Sequence, residues 1–208
     1  MNDQEKAWSG EFGDSYTARN DSVPWWDRVE FWDRVFSLTR ARSVLEVGCN
    51  SGANLMAMRT AAPGSILCGV DVNASALEYA KFRGFSVENL SALKVGVRWD
   101  RRFELVATVG MLIHVAPEHL LPTMTSILAA SYRWILCVEY DAAEETPLLY
   151  RGQIDRLWKR SYGELYERLG LKLHAAWPAG GGFDACHAWL LERPGVQPAG
   201  PDRAGAGG

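Results

Sequence analysis

Short apolar runs alternate with longer amphipathic segments in the central part of this 208-residue chain. Each run is rich in apolar and β-branched residues and is followed by polar residues or glycine, which is typical of buried strands. The pattern predicts strands at Ser43–Val47, Ile66–Asp71, Phe85–Val87, Phe103–Val109 and Trp134–Tyr140, separated by helices at Ala53–Thr60, Ala74–Arg83 and Pro117–Ser131. This alternation favours a mostly parallel sheet with helices on both of its faces.

The flanking segments extend the sheet. Apolar residues fall on one face of residues 25–39, which predicts a helix before the first strand. An irregular acidic stretch at 141–146 precedes a predicted helix at 154–169 and strands at 171–177 and 187–191. No long helix separates these last strands, so we expect an antiparallel hairpin. The predicted fold class is α/β, a doubly wound, mostly parallel seven-stranded sheet with a C-terminal antiparallel hairpin.

We expect residues 1–193 to form a single domain, and the Pro- and Gly-rich residues 194–208 to form a disordered tail. Within the domain, residues 1–40 are expected to form an N-terminal lid and a helix. Residues 1–20 show no dominant period, but their density of aromatic side chains argues against disorder. We therefore expect this stretch to close over a bound ligand.

Composition narrows the class of protein. The chain is 48% apolar and 23% charged with a net charge of −3, which is typical of a globular domain without a nucleic-acid footprint. It has neither a basic leader before an apolar run nor a membrane-length apolar run, so we expect a cytoplasmic protein that binds no membrane. The four cysteines are scattered, which favours reduced thiols and no metal site. The oligomeric state stays open.

A glycine-containing turn, in the sequence SVLEVGCNSGANL, follows the first predicted strand. Such a turn at a helix N-terminus brings the backbone close to a nucleotide-like ligand. Gly48 and Gly52 suit this role, but Asn50 and Ala53 stand where a dinucleotide fingerprint has glycines, which disfavours the pyrophosphate of NAD or FAD. Asp71 ends the second strand and is placed to accept hydrogen bonds from both ribose hydroxyls of an adenosine group.

These features resemble the class I, Rossmann-like S-adenosylmethionine-dependent methyltransferases. The resemblance is carried by the glycine turn that begins at Glu46, the acid at Asp71, the Phe103-Glu-Leu-Val segment and residues 109–115. It implies S-adenosylmethionine as the cofactor and S-adenosylhomocysteine as its product.

More narrowly, the sequence is similar to the pseudaminic acid biosynthesis-associated methylase family. The shared motifs are Trp8-Ser-Gly-Glu-Phe-Gly13, Tyr16-Thr-Ala-Arg-Asn20, Gly110-Met-Leu-Ile-His114-Val, Glu139-Tyr140, Tyr150-Arg-Gly152 and Leu157-Trp-Lys-Arg160. Two departures fall in the acceptor half. Ser161 stands where the family usually has Asp, and Tyr140-Asp-Ala-Ala replaces its usual Tyr-Asn-Pro.

Several residues are expected to bind the cofactor. A carboxylate at the end of a buried strand is costly unless it is paired, so Glu46 should orient the loop or meet the cofactor's ammonium group. By family analogy Asn89 or Ser91 contacts the adenine amine. If residues 1–20 close over the cofactor, we expect Tyr16 to contact the methyl donor and Arg19 its carboxylate. The complete expected set is Tyr16, Arg19, Glu46, Gly48, Asn50, Gly52, Asp71, Val72, Asn89, Ser91 and Gly110.

Three residues are candidates for catalysis. His114 lies just beyond the fourth strand, and an imidazole with a pKa near 6.5 can take a proton from an acceptor around neutrality. A structural role for this histidine is the alternative. Glu139 and Tyr140 end the fifth strand at the rim where open α/β sheets bind ligands, and they are reserve candidates for the same role.

Arg151, Lys159 and Arg160 form a basic group that could bind a carboxylate or phosphate of the substrate. Exposed positions that favour solubility are the alternative. Lys159 and Arg160 are adjacent, so on a helix they would point about 100° apart and one of them would reach a site.

The sequence thus predicts a methyltransferase that moves a methyl group to an oxygen or nitrogen of a small polar metabolite. The acceptor would be an amino sugar, an amino acid or a secondary-metabolite intermediate. Two alternatives remain at this point: an NAD(P)-dependent oxidoreductase and a non-catalytic, regulatory S-adenosylmethionine-binding domain.

Overall fold

The computed structural model describes residues 1–20, 24–154 and 156–195. Its helices are α1 Asp3–Trp8, α2 Glu11–Asn20, α3 Val29–Thr39, α4 Ala53–Ala61, α5 Ala74–Phe82, α6 Val95–Arg98, α7 Pro117–Ala130 and α8 Tyr162–Arg168. Its strands are β1 Ser43–Val47, β2 Ile66–Asp71, β3 Ser86–Asn89, β4 Phe103–Val109, β5 Ser131–Tyr140, β6 Thr146–Pro147, β7 Trp158–Lys159, β8 Lys172–Pro178 and β9 Cys186–Glu192. Short 3-10 helices occupy Trp25–Arg28, Ala92–Lys94 and Leu112–His114.

Seven of the strands form one sheet in the order β3-β2-β1-β4-β5-β9-β8. The first five are parallel, and β9 runs antiparallel to both β5 and β8. The predicted fold class is therefore confirmed, including the C-terminal hairpin. The strand order reverses at β1, which lies between β2 and β4, and ligands of open α/β sheets bind at such a point.

Successive side chains of a strand point to opposite faces of a sheet, and the buried residues follow this rule. Val44 packs on one face, with side chains of α3, α4 and α5. Leu45 and Val47 pack on the other face, with side chains of α6, α7 and α8. Two hydrophobic cores thus fix the strand ends in place. No helix among the described residues is long and apolar enough to cross a membrane.

The segment between β5 and α8 differs from the prediction. A helix was expected at 154–169, but α8 covers only Tyr162–Arg168, and β7 precedes it and pairs with β6. Ile154 is 64% exposed, whereas Leu157 and Trp158 are buried and thereby hold the chain extended against the core. Tertiary packing overrides the local helical pattern here.

Smaller differences concern element boundaries. Residues 25–28 form a 3-10 helix ahead of α3, and residues 1–20 form two helices where no period was apparent. The fifth strand begins at Ser131 rather than Trp134, because Ser131 pairs with Phe103 of β4. Of the predicted tail, residues 196–208 lie outside the described residues.

Candidate functional site

A cavity of about 240 Å³ lies at the carboxyl ends of β1, β2 and β4, beneath α1 and α2. The residues predicted to bind cofactor that line it are Tyr16, Glu46, Gly48, Asn50, Asp71, Val72 and Gly110, and His114 lines it too. The fold thus brings together positions that are up to 98 residues apart in the chain. These residues surround a single space at the point where the strand order reverses.

The turn after β1 is shaped by backbone that favours glycine. Gly48 has φ +80°, and a Cβ there would lie 2.5 Å from Met111 Cγ. Only a residue without a side chain can occupy this position, because the loop after β4 approaches the turn so closely. Asn50 also has positive φ, at 47°, which asparagine tolerates better than most residues. Gly52, with φ +83°, leads into α4.

Asp71 ties the first turn to the second. Its Oδ2 accepts a hydrogen bond from the Asn50 backbone N–H at 2.8 Å, and its Oδ1 accepts one from the Asn73 N–H at 2.9 Å. Burial raises the pKa of this carboxyl, and the backbone hydrogen bonds oppose that shift. A carboxylate has about four lone-pair sites, so both oxygens can still accept hydrogen bonds from the cavity side.

A hydrogen-bonded chain lines the cavity beside β1. Glu46 is buried, and its Oε1 accepts a hydrogen bond from Asn54 Nδ2 at 2.7 Å. Arg28 Nη1 donates to Asn54 Oδ1 at 2.8 Å, so the amide joins the carboxyl to the guanidinium. Burial raises the pKa of Glu46 to about 8, against the opposing effects of Asn54 and Arg28. Glu46 Oε2 has no hydrogen-bond partner among the described residues.

The N-terminal helices α1 and α2 are docked onto the loops around the cavity. Asn73 Nδ2 donates to the Trp8 carbonyl at 3.0 Å and to Asp14 Oδ1 at 2.9 Å. Asn50 Nδ2 donates to Thr17 Oγ1 at 2.9 Å. Two further hydrogen bonds join α1 to the loops after β3 and β4: Ser91 to Glu5 and the Ala116 N–H to Gln4.

His114 lies under these helices. Its Nδ1 is 2.8 Å from the Arg156 carbonyl, which can only accept, so Nδ1 carries the proton and the lone pair is on Nε2. The ring centroid is 4.5 Å from that of Trp8 and 5.4 Å from that of Tyr150. Burial between these aromatic rings lowers the pKa of His114 to about 4. This value is below the one expected from sequence, and the imidazole is neutral at physiological pH.

Glu139 lies behind the loop that carries His114 rather than in the cavity lining. Its Oε1 accepts from the backbone N–H groups of Met111 and Leu112, and its Oε2 from that of Ile113, at 3.0 to 3.3 Å. Burial raises the pKa of this carboxyl to about 7, although the three N–H groups oppose the shift. Glu139 thus holds the 3-10 turn that ends at His114.

Arg160 reinforces the same turn and does not reach the cavity. It is 2% exposed, and its Nε pairs with Glu145 Oε2 at 2.6 Å. Its Nη1 donates to the Leu112 carbonyl at 3.4 Å and to the Tyr162 hydroxyl at 3.2 Å. These partners hold the guanidinium inside the protein, away from the position expected for a substrate-binding cation.

The other predicted site residues that do not line the cavity are Arg19, Gly52, Asn89, Ser91, Tyr140, Arg151 and Lys159. Asn89 donates to the carbonyls of Asp71 and Val72, and so supports the loop from outside. The Tyr140 hydroxyl donates to Asp184 Oδ2 at 3.1 Å. Arg151 is exposed, and Lys159 Nζ lies 5.6 Å from the Tyr140 ring centroid.

Sequence reasoning missed several lining residues, among them Trp8, Arg28, Asn54 and Asp184. Arg28 and Asn54 belong to helical segments in which a polar residue is ordinary, so their positions offered no signal. Asp184 follows a run of three glycines that marks the β8–β9 connection as a loop, but not its approach to the cavity. Within the described ranges, no group of three or more His, Cys, Asp or Glu side chains is arranged to hold a metal ion.

No protein-family model matches the sequence, and no curated protein matches it. Solved structures do match the fold. Magnesium protoporphyrin IX methyltransferase from Synechocystis PCC 6803, with bound S-adenosylmethionine, is 11% identical with a TM-score of 0.67, covering 93% of this chain and 98% of its own. The 1,6-didemethyltoxoflavin-N1-methyltransferase of Burkholderia thailandensis, with S-adenosylhomocysteine and its substrate bound, is 12% identical with a TM-score of 0.70, covering 91% and 86%.

Mitomycin 7-O-methyltransferase is 14% identical with a TM-score of 0.67, and the match covers 91% of this chain and 60% of that one. These structural neighbours are S-adenosylmethionine-dependent methyltransferases of class I fold. The narrower resemblance to the pseudaminic acid biosynthesis-associated methylases is not confirmed by the comparisons. This chain has the Rossmann-like methyltransferase fold.

Proposed function

We propose that the protein is an S-adenosylmethionine-dependent methyltransferase that acts on an oxygen or nitrogen of a small polar metabolite. The observation that carries this proposal is the combination in one cavity of the Gly48 turn, the Asp71 carboxylate and the unpartnered Glu46 oxygen. The fold neighbours support it, since they include enzymes crystallised with this cofactor or its product.

The lining fits the parts of S-adenosylmethionine. Asp71 would accept the two ribose hydroxyls, and the turn at Gly48 leaves room for close approach of the ligand to backbone. Glu46 Oε2 lacks a partner and would receive the ammonium group. Arg28 is hydrogen-bonded to Asn54 beside Glu46, and would attract the carboxylate. Apolar side chains of the loops after β3 and β4, namely Leu90, Ala92 and Val115, would contact the adenine.

The bound cofactor supplies a methyl group on a positively charged sulfur, which is attacked in line by the acceptor. The chain then has to align the acceptor and exclude water. His114 presents Nε2 as a hydrogen-bond acceptor, because its Nδ1–H is committed to the Arg156 carbonyl. With a pKa of about 4, His114 would orient an acceptor hydroxyl and take its proton only as the new bond forms.

Two features disfavour the oxidoreductase alternative. Asn50 stands where a pyrophosphate would need glycine, and its side chain bonds to Thr17 of α2 and to the Ser51 N–H.

The similarity to the pseudaminic acid-associated methylases rests on sequence motifs alone. It keeps amino sugars, together with amino acids and secondary-metabolite intermediates, among the acceptors that we propose.

Calorimetry tests the cofactor assignment. We expect S-adenosylhomocysteine to bind with a Kd of about 1–10 µM and NAD to show no binding, which corresponds to about 7–8 kcal/mol for the former. Asp71→Asn should weaken binding about tenfold or more, since a hydrogen bond to a charged group contributes about 1.5–3 kcal/mol. Asp33→Asn, on the exposed side of α3, is the matched control and should bind normally. Binding of NAD without S-adenosylhomocysteine would reject the proposal.

A second assay separates catalysis from binding alone. Release of S-adenosylhomocysteine is measured with a panel of small hydroxy and amino compounds. His114→Ala should lower turnover about 100-fold while retaining cofactor binding, within the usual contribution of an acid–base residue. His119 lies outside the cavity lining, so the control variant His119→Ala should have the turnover of the wild-type protein. Cofactor binding without transfer to any compound would favour the regulatory-domain alternative.

A further inference from the structure

The arginine in the described cavity lining is already engaged by other groups of the protein. Among the described residues that line the cavity, Arg28 is the cation that is not a histidine. Its Nη1 donates to Asn54, its Nε donates to the Gly182 carbonyl at 2.9 Å, and its guanidinium lies 4.8 Å from the Phe183 ring centroid. In the proposed function Arg28 also attracts the cofactor's carboxylate, so an anionic acceptor would find no further arginine or lysine in the described lining.

Besides Glu46, one carboxylate in the described cavity lining has an oxygen that no other group engages. Glu5 bonds within α1 and to the loop after β3, Asp71 bonds to two backbone N–H groups, and Glu46 is assigned above to the cofactor. Asp184 also lines the cavity and is exposed. Its Oδ2 accepts from the Tyr140 hydroxyl, whereas its Oδ1 has no hydrogen bond, and no cation lies within 4 Å of it, among the described residues.

The loop that carries Asp184 is fixed on both sides. Phe183 is buried, with its ring centroid 4.6 Å from that of Phe31, and Gly182 is held through its carbonyl by Arg28. The Ala179 N–H donates to the carbonyl of Cys186 at 2.9 Å and closes the base of the loop. A carboxylate in a fixed position can select a ligand without the entropic cost of ordering the loop.

We infer that Asp184 binds a positively charged group of the methyl acceptor, such as a protonated amine, and that a different atom of the acceptor is methylated. This inference rests on the proposed methyltransferase function. An ammonium nitrogen that is held by a carboxylate keeps its proton and has no lone pair for attack. The attacking atom is therefore a second group, and His114 enters the cavity from a different loop to receive it. The rings of Trp8 and Tyr16 line the same cavity and attract cations through their faces.

Three phenols that differ in charge test this assignment: tyramine is cationic, tyrosol neutral and 4-hydroxyphenylacetate anionic. Their affinities are measured by calorimetry on the protein saturated with S-adenosylhomocysteine. We expect tyramine to bind about tenfold or more tightly than 4-hydroxyphenylacetate, as one favourable charge pair gives. In Asp184→Asn the preference should fall below about threefold. Asp141→Asn, an exposed acid outside the cavity lining, is the matched control and should retain it.

Tyr140→Phe removes the hydroxyl that orients Asp184 and should reduce the preference by a smaller factor, with binding of S-adenosylhomocysteine unchanged. The inference is overturned if wild-type protein binds tyramine no more tightly than the anion, or if Asp184→Asn keeps the preference. Failure of wild-type protein to bind S-adenosylhomocysteine is a separate result, which rejects the proposed function itself.

Discussion

Replacing Gly13 with alanine would separate the N-terminal helices from the cavity. A Cβ at Gly13 would lie 1.8 Å from the Trp8 carbonyl oxygen and 2.7 Å from Asn73 Nδ2. A real Cβ essentially never lies within 3.0 Å of such an atom, so α2 has to move by about 1.2 Å relative to Trp8. Asn73 is held in place because its Oδ1 caps α5, and the Trp8 carbonyl is hydrogen-bonded to Asn73 Nδ2.

The displacement would break the hydrogen bonds that dock these helices. Asn73 Nδ2 bonds to Trp8 and Asp14, and Asn50 Nδ2 bonds to Thr17, all at 2.9–3.0 Å. Each bond contributes about 1 kcal/mol net, so the docked conformation would lose about 3 kcal/mol. If the ligand binds tightly only under docked helices, the Kd rises as the docked fraction falls, by at most about 100-fold.

Calorimetry with S-adenosylhomocysteine measures this effect, and Gly10 provides the matched control. A Cβ at Gly10 would lie 3.5 Å from the Lys6 carbonyl oxygen, which is an ordinary contact. We expect Gly13→Ala to weaken binding about 10- to 100-fold and Gly10→Ala by less than about twofold. The free energy of unfolding should fall by at most about 3 kcal/mol in Gly13→Ala, the energy lost from the docked helices, and should change little in Gly10→Ala. Wild-type affinity in Gly13→Ala would refute the lid role that we propose.

Three further predictions concern buried ionisable groups. Below pH 8 the Glu46 carboxyl is largely protonated, so binding of the cofactor's ammonium group at pH 7 should release a proton. Calorimetry in buffers of different ionisation enthalpy measures this proton release, and Glu46→Gln should abolish it. Glu139→Gln leaves one oxygen to accept from three N–H groups, and it should lower the free energy of unfolding in urea by about 1–3 kcal/mol. Glu192 forms a partly exposed ion pair with Arg133, so the control Glu192→Gln should change that free energy by less than about 1 kcal/mol. His114 has a folded pKa below its unfolded value, so stability should fall as the pH drops from 6.5 towards 4, by at most about 3 kcal/mol, and His114→Gln should remove that dependence. Unchanged proton release, stability or pH dependence in these variants would contradict the corresponding assignment.

The local pattern of apolar and polar residues was sufficient to predict the sheet and the part of the cavity that is proposed to bind the cofactor. The apolar runs place β1, β2 and β4 within a residue or less of their observed bounds, because these strands are buried on both faces. Gly48 and Asp71 follow such strands directly, so their position at the rim depends only on strand order. Gly48 has a positive φ, which glycine adopts readily, so the glycine itself indicates the turn.

The acceptor half could not be predicted in this way, because it depends on which loops meet in space. Arg160 and Lys159 were expected on a helix, but the burial of Trp158 makes that segment a strand and turns Arg160 inward to Glu145. Asp184 reaches the cavity because β9 runs antiparallel beside β5, which brings the β8–β9 loop to the same edge as Tyr140. Neither arrangement follows from spacing along the chain.

Three carboxylates end strands of this sheet, and their neighbours give them different roles. Glu139 has both oxygens engaged by backbone N–H groups, so it shapes the loop that bears His114. Asp71 is bonded to backbone but still faces the cavity, which suits a ligand that needs acceptors. Glu46 has one oxygen bonded to Asn54 and one unpartnered, and a buried unpaired oxygen is unfavourable unless a ligand supplies the missing donor. The same sequence signal, an acid after an apolar run, therefore indicates ligand binding only where the structure leaves an acceptor at the cavity that can take a further hydrogen bond.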